Sequence, residues 1–130
     1  MGYYTRFDMS VYDGNYNSFD IAKYMLEKNK ENDAFYAFEY DLEKFFKNGD
    51  MDEQCGDAFV LSLESNDESK WYEHEKEMRD LSKEFPDVVF KLHGEGEDNK
   101  DIWDKYFMNG KMQSCPAQMT LPPFEKEKLI

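Results

Sequence analysis

Long apolar runs are missing from this sequence, as are paired cysteines, and histidine occurs only twice. No stretch approaches the roughly 20 consecutive apolar residues of a membrane-spanning helix. Residues 1–6 show no basic segment leading into an apolar one, so the chain is expected in the cytoplasm. Cys55 and Cys115 stand alone instead of in a C-x-x-C pair, and reduced thiols are expected. His74 and His93 lack the short ligand spacing of structural zinc sites, and neither belongs to an H-x-x-x-H pair, so no metal and no cofactor are expected. There is no G-x-S-x-G, which excludes a nucleophile elbow, and no catalytic residue can be singled out. Basic residues are scarce as well: 16 Lys and Arg face 29 Asp and Glu, a formal charge of −13. Such an anion repels nucleic acid over most of its surface, so no direct nucleic-acid ligand is expected; a basic protein surface fits by charge.

What the sequence does have is aromatic surface. Eleven Phe, nine Tyr and two Trp bring the aromatic fraction to 17%, which separates the chain from disordered acidic tails, and 130 residues suit a single domain. Residues 3–12 alternate around Phe7, Met9 and Val11, the period of a half-buried strand. Asp13-Gly14-Asn15 is turn chemistry. Asn17 is placed to cap a helix running to Glu27 or Lys28, with Tyr16 stapled on Ile21, before the polar run 29–33 breaks it. Phe35, Phe38, Leu42, Phe45 and Phe46 predict a second helix, although AFYAFEY alone also suits a short strand; Asn48-Gly49-Asp50 stops it, and 51–57 reads as a loop.

Residues 58–64 read as a strand and 65–67 as a turn. Trp71, Met78, Leu81 and Phe85 predict an amphipathic helix over 71–85, with Asp67, Glu68 and Ser69 at its start, Glu75 four residues before Arg79, and Pro86 at its end. A strand at 88–92 is followed by the Gly-rich acidic link 94–99, which lacks the ligand alternation of a calcium loop. Asn109-Gly110 joins a hairpin of 102–107 and 111–117, and 121–130 is expected to be an extended tail. The order of elements predicts an α+β fold, a small antiparallel sheet with helices on one face, as in ferredoxin-like domains.

Residues 70–113 (KWYEHEKEMRDLSKEFPDVVFKLHGEGEDNKDIWDKYFMNGKMQ), with the opening GYYTRF, resemble a group of small acidic proteins encoded by bacteriophages and integrated mobile elements. The strand, helix, strand and hairpin with a late aromatic-rich N-G turn look more distantly like the ferredoxin-like domain of YubB-type proteins. The resemblance implies mobile-element origin, the cytoplasm of a bacterial host, and a counter-defence role. That role is expected to be inhibition of a nuclease, a Cas effector foremost, by an acidic surface imitating nucleic acid, as several anti-CRISPR proteins do. Glu73, Glu77, Asp80 and Glu84 on the 71–85 helix, Glu95, Glu97 and Asp98 in the link, and Trp103 and Tyr106 as aromatic anchors are the candidate partner-binding residues. Aromatics of this kind more often belong to a core or sheet face. The alternative function is sequestration of a small signalling nucleotide, which requires some of the few basic residues, for example Arg6, Lys70 or Arg79, to converge in one pocket.

Overall fold

The computed structural model describes residues 4–47, 61–65, 69–98 and 101–130. The alternating segment near the start forms strand β1 (Thr5–Asp13): Phe7 and Met9 turn to one face and are buried, while Arg6 and Tyr12 turn to the other and are exposed. Helix α1 (Ser18–Asn32) begins at the expected cap, where the Asn17 side chain accepts the Asp20 N–H at 3.2 Å and satisfies a first-turn donor. It runs past Lys28, because the polar run does not break it. Asn29 is buried, its Nδ2 donates to the Ala34 carbonyl at 3.1 Å, and the helix closes only at left-handed Asp33.

Phe35 is also left-handed, with φ of 57°, an uncommon conformation for an aromatic residue. The helix expected around Phe35–Phe46 is divided accordingly into a 3₁₀ turn at Tyr36–Phe38 and α2 (Glu39–Lys47). Of the strand expected at 58–64, β2 (Ser62–Glu64) is described; the expected helix stop at 48–50, the loop at 51–57 with Cys55, and most of the turn at 65–67 lie outside the described residues. Helix α3 (His74–Glu84) starts later than its periodicity implies. Glu73 caps it without a side-chain hydrogen bond, buried Trp71 precedes it, and Ser69 is taken up by Thr5 through two backbone hydrogen bonds of 2.8 Å.

Strand β3 (Val89–Gly96) overturns the expected link. His93, Gly94, Glu95 and Gly96 are strand residues, registered against β1 from Thr5↔Gly96 to Val11↔Phe90. The hairpin of β4 (Ile102–Met108) and β5 (Lys111–Pro116) forms as expected, with Asn109 at φ 48° and Gly110 at φ 79° supplying the two left-handed turn positions.

All pairings are antiparallel and the strand order is β2-β1-β3-β4-β5. One face carries Phe7, Met9, Leu63, Phe90, Leu92 and Phe107 into a core with Ile21, Met25, Leu42, Met78 and Leu81 from the three helices. This is the α+β arrangement, with the helices on one face. The other face carries Asp8, Lys91, His93, Asp104 and Tyr106, and none of its side chains joins the core. Among the described residues no helix is long and apolar enough to cross a membrane.

Candidate functional site

Met78 and Leu81 commit one side of α3 to the core. The opposite consequence follows from helical geometry: Glu73, Glu77, Asp80 and Glu84 recur at intervals of four, three and four residues, so their carboxylates form one stripe. Eleven residues at about 1.5 Å each make that stripe roughly 16 Å long. Asp80 is held by Lys76 at 3.0 Å in an exposed i,i+4 pair, whereas among the described residues neither Glu73 nor Glu84 has a basic group within 4 Å.

The stripe borders a cleft of about 410 Å³, with Glu73, Glu77 and Asp80 on one side and Tyr24 and Lys28 of α1 on the other. Phe35 closes it, and its backbone N–H donates to the Glu77 carboxylate. The strained Phe35 backbone and the half-buried carboxylate therefore fix each other in the cleft wall. Burial pushes the Glu77 carboxyl above its ordinary range, against the pull of the Phe35 N–H and the indole of Trp71. That indole Nε1 is buried and approaches Glu77 without reaching hydrogen-bond geometry. Burial likewise raises the Tyr24 phenol, opposed by Lys28 and reinforced by Glu84 and Asp80. Sequence reasoning missed Tyr24, Lys28 and Phe35; no local signal connects them to α3.

The remaining candidates do not join the stripe. Glu95 lies on the open sheet face and accepts from His93 Nε2 at 3.2 Å, and Glu97 accepts the Tyr4 N–H at 3.0 Å. Asp98 follows β3, and its carbonyl accepts the Asp101 N–H at 2.8 Å. Trp103 and Tyr106 fall on opposite faces of β4. Trp103 stacks on His74 on the helix side, with centroids 5.2 Å apart and planes at 15°, while Tyr106 packs edge-on against Tyr12 on the open face at 5.0 Å.

Each histidine is built into a different electrostatic setting. His74 Nδ1–H donates to the Trp71 carbonyl at 2.8 Å, leaving Nε2 to accept from Lys105 Nζ at 2.8 Å; burial holds this imidazole below its ordinary value. The same ammonium reaches Glu75 at 3.1 Å and lies 4.2 Å from the Trp103 ring centre. Glu75 is held down by this Lys105 hydrogen bond, so its main partner is across the fold; Arg79, the expected one, donates to the Gly110 carbonyl at 3.2 Å. At His93 burial lowers the imidazole, but hydrogen bonds to Asp104 at 2.7 Å and to Glu95 outweigh it, and the net shift is upward.

The three basic residues named for a nucleotide site sit in different places. Arg6 is exposed on the open sheet face, Lys70 lies over the Tyr4 ring at 4.9 Å, and Arg79 is engaged at the hairpin turn. Among the described residues no group of three or more His, Cys, Asp or Glu is arranged to hold a metal ion. No family model, curated protein or solved structure matches this chain.

Proposed function

We propose that this protein acts by binding and carries out no chemistry of its own: the acidic stripe of α3 occupies a cationic groove on another protein. The reading extends to a counter-defence inhibitor of a nuclease, a Cas effector foremost, whose Arg- and Lys-lined channel would accept the stripe in place of nucleic acid. One observation carries it. Glu73, Glu77, Asp80 and Glu84 share one helix face beside a cleft, with Lys76 as the only base within 4 Å of their carboxylates among the described residues. Four carboxylates over roughly 16 Å are sparser than the phosphates of one DNA strand, about 3.4 Å apart along the axis. The stripe therefore steers and anchors a basic partner without matching it phosphate for phosphate.

The test is titration of the protein into a guide-loaded CRISPR nuclease, with DNA cleavage read at low and high salt. Inhibition should be stoichiometric and weaken steeply as salt rises. The triple variant Glu73→Lys, Asp80→Lys, Glu84→Lys should lose it while keeping its circular dichroism spectrum. Full potency in that variant refutes the role of the stripe, and no inhibition by the parent chain refutes this class of target.

A further inference from the structure

After β5 the chain leaves the sheet with one backbone tether among the described residues, the Ala117 N–H donating to the Ile102 carbonyl at 2.8 Å, and every residue of 117–130 is exposed. This arm is not polar. Met119, Leu121, Phe124, Leu129 and Ile130 all stand in solvent, Leu121 at 85% and Phe124 at 77%. It also has shape of its own. Pro122 and Pro123 restrict the backbone, a 3₁₀ turn forms at Lys126–Lys128, and Lys128 pairs with Glu125 at 2.7 Å. A preshaped apolar segment loses less freedom on docking than a flexible one.

Among the described residues no helix packs on the open face of the sheet. At one end Tyr12, Tyr106 and Met108 form an apolar patch, and beside it Lys91, His93 and Asp104 carry charges of both signs. Its needs match what the arm offers. The arm brings Leu121 and Phe124 for the patch, then Glu125, Lys126, Glu127 and Lys128, whose charges cancel, so it can approach a body bearing the chain's net −13 without repulsion. Reach is sufficient: thirteen residues at about 3.3 Å span roughly 40 Å, and five strands at about 4.8 Å make a face only ~20 Å wide. Size is sufficient as well. When two copies exchange arms, each contributes its arm and the ten or so side chains of its own covered face, which approaches the roughly 20–30 residues per partner of a stable interface.

We infer that the arm of one copy crosses the open sheet face of a second copy, and that the exchange is reciprocal, giving a two-fold dimer. The apolar contact is opposed by repulsion between two acidic bodies, which salt screens. The dimer thus tightens as salt rises, the opposite of the response expected for partner binding through α3, so the two readings fail separately.

Analytical ultracentrifugation of the full chain over a concentration and salt series tests this. The expected result is a species of twice the chain's mass that gains population with salt. An arm variant, Leu121→Asp with Phe124→Asp, should sediment as a monomer, as should a face variant, Tyr12→Lys with Met108→Lys. Mixing the two variants should restore a heterodimer, because one intact arm then meets one intact face, a rescue that general misfolding cannot produce. A parent chain that stays monomeric throughout overturns the inference, and so does a dimer that survives the arm substitutions. A monomer whose arm amides are protected from exchange overturns it too, by placing the arm on its own sheet.

Discussion

Replacing Gly94 by alanine probes the junction between sheet and α3 most directly. Gly94 lies opposite Trp103 across β3 and β4, and a Cβ placed there would stand 2.2 Å from Cζ2 and 2.4 Å from Cε2 of the indole. Both strands are held by their ladders, with β3 paired on each side, so the ring must move. It is not free to do so: His74 stacks on it, the Lys105 ammonium sits 4.2 Å from its centre, and Phe7 meets it edge-on at 6.0 Å. Overpacking of this kind costs about 1–3 kcal/mol, and loss of an aromatic pair adds about 0.5–1.5 kcal/mol. Alanine returns about 0.5–1 kcal/mol by restricting the unfolded chain. The net expectation is a loss of about 2 kcal/mol, or roughly 8 °C in Tm at this chain length. Urea and thermal denaturation measure it directly. In a Trp103→Leu background the obstacle is gone, and Gly94→Ala should be neutral or slightly stabilising, a coupling of about 2 kcal/mol in the double-mutant cycle. Equal effects in the two backgrounds would refute the argument that the indole occupies the space of a Cβ.

The titratable groups give two more expectations. The two histidines should titrate in opposite directions from the ordinary value near 6.5, His93 above and His74 below, in an NMR pH series on their ring protons. The signs for stability follow. His93 contributes stability that is fully present below its unfolded pKa and lost as pH rises through its raised folded pKa, whereas His74 contributes stability present above its unfolded pKa and lost as pH falls through its depressed one; the reverse order of titration would contradict the burial of His74 and the carboxylate hydrogen bonds of His93. Glu77→Gln keeps an acceptor for the Phe35 N–H and removes a carboxylate whose burial raises its pKa, so it should stabilise the fold at neutral pH. The gain should vanish once the pH falls below the unfolded pKa of a glutamate, and urea titrations across pH would show its absence if Glu77 were in fact well solvated.

Local chemistry was readable from the sequence wherever it was enough to decide the structure. Alternation around Phe7 and Met9, the Asn17 cap and the Asn109-Gly110 turn need only neighbours in sequence, and each forms as expected. The errors share a different cause. Gly94, Glu95 and Gly96 are poor strand formers, yet they lie in β3 because β1 pairs along them and the Trp103 indole fills the space above Gly94. Ser69 offered a helix cap, but Thr5, 64 residues earlier, takes both of its backbone groups. Local propensity gave way to distant partners in both places.

The candidate site divides along the same line. The four acids of α3 could be placed on one face from spacing alone, but the cleft they border depends on Phe35, whose left-handed backbone and hydrogen bond to Glu77 reach across 42 residues. Trp103 and Tyr106 are the more instructive pair, since their separation was legible. Residues three apart on a strand point to opposite faces, so a strand at 102–107 already forbade both from sharing one docking surface. The structure puts Trp103 against His74 under α3 and Tyr106 beside Tyr12 on the open face. A partner drawn to the α3 stripe therefore meets Tyr24 and Lys28 across the cleft, and Tyr106 is left to whatever covers the sheet.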